Sequence, residues 1–183
     1  MNQEVVHGIP DKHRIIQEGD IVSLDAGVIY KGYHSDAART HAVGEVSEEA
    51  KKLIQVTKES FFEGIKFAKA GNHLFDISGA IGRYAEERGY GVVRDLCGHG
   101  IGTALHEAPE IPNYEVGRKG VRLRPGMTLA IEPMINIGTH EVDWLDDDWT
   151  VVTRDGSLSA HYENTILITE GEPRILSLTC DNE

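Results

Sequence analysis

Residues Asp20 to Val28 form an apolar-rich run entered through Glu18-Gly19. Tyr33 to Val43 form a second, and Lys31-Gly32 between them has turn chemistry. The pattern predicts an antiparallel pair of strands. Ser47-Glu48-Glu49 then reads as a helix N-cap followed by first-turn acids, where the helix dipole favours negative charge. Leu53, Ile54, Thr57, Phe61, Ile65 and Ala68 recur at helical spacing up to Gly71, so an amphipathic helix is expected there. A second helix is predicted from about Phe75 to Arg88, closed by Gly89. Beyond it the period shortens to that of strands, at Met127 to Ile137, Thr150 to Thr153 and Ala160 to Thr169. Asp155-Gly156 between the last two predicts a hairpin.

Composition narrows the class. The chain has 183 residues, 40% of them hydrophobic and 26% charged, which fits a single globular domain. Its formal charge of −12 argues against a nucleic-acid binder, which needs a basic face to displace phosphate counterions, and against an anionic membrane surface. No apolar run is long enough for a membrane span, and Met1-Asn2-Gln3-Glu4 does not read as a secretory signal. Cys97 and Cys180 are too few for a disulfide framework, so a reducing cytoplasm is the expected setting.

Candidate chemistry lies where charge interrupts apolar strands. With Lys31-Gly32 as a two-residue loop, Asp25 and Asp36 fall on one face of the hairpin, opposed or diagonal. Two such carboxylates repel each other and need a cation or a shared proton. From spacing alone, one of them lying on a solvated face is an equal alternative. His99 stands between Gly98 and Gly100 in CGHGIGTALHEAPE, with His106 seven residues on. The glycines clear space and permit unusual backbone angles, and the spacing matches neither a zinc finger nor HExxH. Glu132 interrupts MTLAIEPMI and Glu163 interrupts HYENTILIT, with His161 on the face of Glu163. Four carboxylates and one imidazole suit a pair of hard divalent ions better than a single zinc. A faint internal echo joins the two halves, since Gly19 precedes Asp25, and Gly126 precedes Glu132, by six residues. Asp146-Asp147-Asp148 reads as a solvated loop, and His13, His41, His73 and His140 have no patterned partners.

These segments, VVHGIP, LDAGVIYKGYHSD, CGHGIGTALHE, GMTLAIEPM and SAHYENT, resemble in order the type I methionine aminopeptidases of the pita-bread metallopeptidases. The resemblance implies an α+β pita-bread fold, a curved, mainly antiparallel sheet with helices on its outer face and an internal pseudo-twofold. It implies Asp25, Asp36, His99, Glu132 and Glu163 as ligands of two divalent ions, with Mn, Fe or Co favoured over Zn. It assigns catalysis to His7, His106 and Glu132, and substrate contact to His7, His106 and Trp149, the last against the methionine side chain. The implied partners are nascent polypeptides with an N-terminal Met, and the ribosome; nucleic acid and membrane are not expected, and the implied state is a monomer.

Leu96 and Leu105 replace aromatics common in the family, and only 30 residues separate Glu132 from Glu163, too few for the type II inserted subdomain. In the family VVHGIP lies well inside the domain, behind helices and strands that cover the sheet; here it begins at Val5. The expectation is one catalytic domain over residues 1–183 that is truncated at the front. Two alternatives stay open, a truncated module that binds metal with little or no turnover, and an Xaa-Pro dipeptidase.

Overall fold

A computed structural model describes residues 1–178. The chain runs β1 (Glu4–Val6), β2 (Ile21–Tyr30), β3 (Tyr33–Ala42), α1 (Glu48–Ile65), α2 (Leu74–Glu86), β4 (Gly91–Val92), β5 (Gly98–Gly100) and β6 (Glu107–Ile111). It continues through β7 (Thr128–Ile131), β8 (Met134–Asn136), β9 (Val142–Trp144), β10 (Val151–Thr153), β11 (Ser159–His161), β12 (Asn164–Leu167) and β13 (Arg174–Ile175). Every strand pair is antiparallel. No helix among the described residues is long and apolar enough to cross a membrane.

Ser47 caps α1 by accepting the Ala50 N–H at 3.1 Å, and Glu48 and Glu49 fill the first turn as expected. The helix ends at Ile65, before the expected Gly71, although Ala68 beyond it is still buried. At α2 the His73 N–H donates to Asp76 at 2.8 Å. Gly64 lets the helices approach closely, since a Cβ there would lie 2.4 Å from Ile81. Phe61, Ile77 and Ile81 pack against Leu129, Ile131 and Ile166 in one buried cluster, which places both helices on one face of the sheet.

The β2–β3 hairpin has the predicted register, with Tyr30 opposite Tyr33, Asp25 opposite Ala38 and Asp36 opposite Gly27. Two expected long strands are interrupted. Thr128–Ile131 and Met134–Asn136 replace a single strand, as do Ser159–His161 and Asn164–Leu167. Pro133 has no N–H to give to the ladder, although its carbonyl still accepts from Tyr162 at 3.2 Å. Ile131 opposes Asn164 and Met134 opposes His161, so the register is unchanged across the gap and Glu132 faces Glu163.

The hairpin predicted at Asp155-Gly156 does not form. Gly156 does turn the chain (φ +73), but β10 pairs with β1 and β9 whereas β11 pairs with β8. Asp155 instead accepts the N–H of Thr139 at 2.8 Å and of Ser157 at 3.0 Å, pinning the turn to the β8–β9 connection. Gly19 (φ +95) and Gly126 (φ +89) are both turn glycines, one ahead of β2, which carries Asp25, the other ahead of β7, which leads to Glu132, and this gives the internal echo a backbone basis. Cys180 lies outside the described residues.

Candidate metal centre

Alternation along strands places the acidic residues. Leu129, Ile131 and Ile166 point toward the helices, so their neighbours of opposite parity point to the other face. Two adjacent rows cross that face. One runs from Asp25 through Ala38 and Glu163 to Glu132; the other runs from Asp36 through Thr165 and Ala130 to His99. Ala38 and Ala130 are fully buried between the polar groups. The alanines leave room for the longer side chains on either side to converge.

One ligand atom each from Asp36, His99 and Glu163 lies within 4.8 Å of the others, and all three residues are buried. Glu132 Oε1 is 3.5 Å from His99 Nε2, and Glu132 Oε2 is 3.7 Å from His161 Nε2. Asp25 joins from the open side, where its residue surface remains exposed. The His99 Nδ1 is 2.9 Å from the Gly100 carbonyl, a bond that leaves Nε2 with the lone pair a metal needs. Gly98 and Gly100 are strand residues and have no positive φ, so of the two expected uses of these glycines the unusual backbone angles are not taken up. Their role is clearance: a Cβ would lie 2.4 Å from the Ala130 carbonyl at Gly98, and 2.3 Å from that of Ala108 at Gly100.

The electrostatics are those of a site short of positive charge. Burial pushes Glu163 far above the ordinary carboxyl range, and Glu132, Asp36 and Asp25 push it further while Arg39 opposes them. Glu132 is raised by burial and then by Asp25 and Asp36. Asp25 rises to about 6, through burial and then the Asp36 charge. His161 falls to about 3, because burial disfavours the imidazolium. Glu163 Oε1 and His161 Nε2 are buried without a hydrogen-bond partner. Such a set holds protons or takes cations, and hard oxygen donors with one nitrogen fit divalent metal.

The remaining predicted residues border this centre. His7, His99, His106 and Glu132 line a cavity of about 530 Å³. The rings of His106 and His99 are 4.4 Å apart, and those of His7 and Trp149 are 6.3 Å apart. His7 has a φ of +59, and Trp149 is exposed. The burial of His7 and the charge of His106 hold its pKa below the usual value. A second cavity of about 560 Å³ lies between the stretch after β1 and the edge of β2, reaching Asp25 and His161.

Sequence reasoning missed three polar supports. Asn113 donates to the Glu132 carbonyl at 3.1 Å, Thr165 bonds to the peptide of Asp36, and Thr40 bonds to that of His161. The Asp147 loop, read as solvated, also caps its own turn through the Trp149 and Thr150 N–H groups.

The profile of metallopeptidase family M24 matches residues 1–170. The chain belongs to this family. Among relatives, the methionine aminopeptidase of Clostridium acetobutylicum is 60% identical over 178 residues, which are 97% of this chain and 71% of the relative. Methionine aminopeptidase 1 of Bacillus subtilis is 52% identical, over 93% of this chain and 68% of the relative. The crystal structure of methionine aminopeptidase from Thermotoga maritima superposes with a TM-score of 0.95 at 50% identity, over 97% of this chain and 72% of that one. The prolidase from Pyrococcus furiosus gives 0.68 at 30% identity, over 90% of this chain and 43% of its own. The M24 chain thus has the pita-bread fold expected from its motifs, and membership implies binding of divalent metal.

Proposed function

We propose that this chain is a metal-dependent aminopeptidase that removes the initiator methionine from nascent proteins. The observation that carries the reading is the two-row floor of Asp25, Glu163, Glu132, Asp36 and His99, in a chain 60% identical to a methionine aminopeptidase. Those five residues would hold two divalent ions, of Mn, Fe, Co or Zn. Bound there, the ions supply the Lewis acidity that makes water a competent nucleophile near neutral pH and polarises the peptide carbonyl.

The chain's own groups do the rest. Glu132, on the wall of the cavity, is the base that would accept the proton of the attacking water. His106, across the cavity, donates to the oxyanion of the tetrahedral intermediate. His7 contacts the scissile amide, and Trp149 beside it offers an apolar wall to the methionine side chain. The proposed substrates are nascent chains met at the ribosome, in the cytoplasm, by a monomer.

His99→Ala tests the assignment. Hydrolysis of a Met-Ala-Ser peptide is expected to fall below detection and bound Mn to drop on elemental analysis, whereas retained turnover overturns the reading. Xaa-Pro dipeptides run alongside distinguish a prolidase. A second reading, a cation-binding module of low turnover, is favoured by the 62% exposure of Trp149 and by the exposed surface of Asp25, which leave the β2 side of the site open. Full metal loading with negligible Met-Ala-Ser cleavage would select it.

A further inference from the structure

The β2–β3 hairpin, which carries Asp25 and Asp36, meets the stretch from β11 through Glu163 into β12 along a seam. Only at its centre do two residues exchange peptide bonds directly: Glu163 N–H donates to the Ala38 carbonyl at 2.9 Å, and Ala38 N–H to the Glu163 carbonyl at 3.4 Å. A regular antiparallel ladder would repeat that exchange two residues to either side. Here a threonine hydroxyl stands between the strands at both places. Thr165 Oγ1 accepts the Asp36 N–H at 2.8 Å and donates to the Asp36 carbonyl at 3.0 Å. Thr40 Oγ1 accepts the His161 N–H at 2.8 Å and donates to the His161 carbonyl at 2.9 Å.

The two threonines come from opposite strands. A hydroxyl offers one proton and two lone pairs, and both are fully used. Ser35 fills the second acceptor site of Thr165 at 3.4 Å, and the Ser23 hydroxyl lies 2.9 Å from that of Thr40. Arg39 closes the outer side by donating to Asn164 Oδ1 at 2.6 Å and to the Glu163 carbonyl. The seam therefore separates the aspartate half of the centre from the glutamate–histidine half.

We propose that Thr165 and Thr40 are positioning residues that set the width of the metal centre by holding the two halves one hydroxyl apart. This rests on the cation-binding reading above. Valine keeps the shape of threonine and removes the proton and the lone pairs. The Asp36 N–H and carbonyl then recover partners only by closing the strands or admitting water, and either displaces Asp36 from Glu163.

The test is titration of the metal-free protein with Co²⁺, reading affinity and the visible absorption that reports ligand geometry. Thr165→Val is expected to weaken Co²⁺ binding by about 10- to 100-fold, the usual cost of losing a ligand's supporting group, and to shift the spectrum. Thr165→Ser, which restores the hydroxyl, should return both to within a few-fold of wild type. Thr57→Val is the control, because it removes another buried hydroxyl bond, 2.8 Å to the Leu53 carbonyl, within α1. It should lower stability and leave Co²⁺ binding alone. If Thr165→Val does not fold, Thr40→Val at the less buried end carries the same expectation. Wild-type affinity and spectrum in the valine variants, or an equal loss in Thr57→Val, would overturn the clasp. Failure of the wild type to bind Co²⁺ would overturn the cation reading and the clasp with it.

Discussion

Glu163 and Glu132 face each other across one ladder with no cation of the chain's own between them. In the metal-free protein, burial and the charges of neighbouring carboxylates hold both pKa values above their unfolded values, so the folded state keeps protons that the unfolded state releases. The stability these groups contribute is present below the ordinary carboxyl pKa and is lost as pH rises through the raised one. Asp25, at about 6, acts in the same direction over a lower window. His161 acts in the opposite direction, since its folded pKa of about 3 means that stability is lost as pH falls below its unfolded value of about 6.5. Between pH 7 and 9 the glutamates are therefore expected to dominate. With chelator present, thermal unfolding should move to lower temperature across this range. Glu163→Gln should flatten the trend, and Mn²⁺ should abolish it while releasing protons detectable in weak buffer. A flat profile without metal would refute the account. The ligand-type residues were legible because charge inside an apolar strand is conspicuous. Thr165 and Thr40 were not, because threonine is an ordinary strand residue and only the seam gives its hydroxyl a task.

At the scale of elements, the helices and the β2–β3 hairpin were readable because their signals are local: a cap, a 3.6-residue period, a two-residue turn. The short strands were less so. The Asp155-Gly156 turn exists, but which sheet receives the following strand depends on partners far away in sequence, and no local signal encodes that. The glycines around His99 show a similar limit, since the sequence offers clearance or unusual backbone angles and only the packing of β5 against its neighbours selects clearance. Gly98→Ala is expected to cost about 1–3 kcal/mol through overpacking, because the contacted atom is backbone and cannot swing aside. Calorimetry should record this as a Tm lower by several degrees, with weaker Mn²⁺ binding because His99 shares the displaced strand. An unchanged Tm would count against the clearance argument.

On the scale of the whole molecule, the helices cover one half of the sheet and leave the hairpin half bare. Leu24, Val28, Tyr30 and Tyr33 are each at least 60% exposed, on the face opposite Asp25. Among the described residues, β2 pairs only with β3, so its outer edge offers unpaired peptide groups next to that apolar surface. Val28→Lys should therefore raise the protein concentration at which light scattering appears, without altering Co²⁺ affinity. Equal scattering in both proteins would show that this edge does not drive association. Net charge, the strongest whole-chain signal in the composition, separates function classes but does not foretell this uneven coverage.

Because Asp25 and Asp36 stand early in the chain and Glu132 and Glu163 late, with the floor made by strands from both regions, the centre has a place in time as well as in space. A chain still being made, or one in which the last strands have not docked, holds an aspartate pair with no opposite wall. The full set of donors exists only once the late strands have docked on the hairpin, so the free energy of metal binding adds to the stability of that closed sheet.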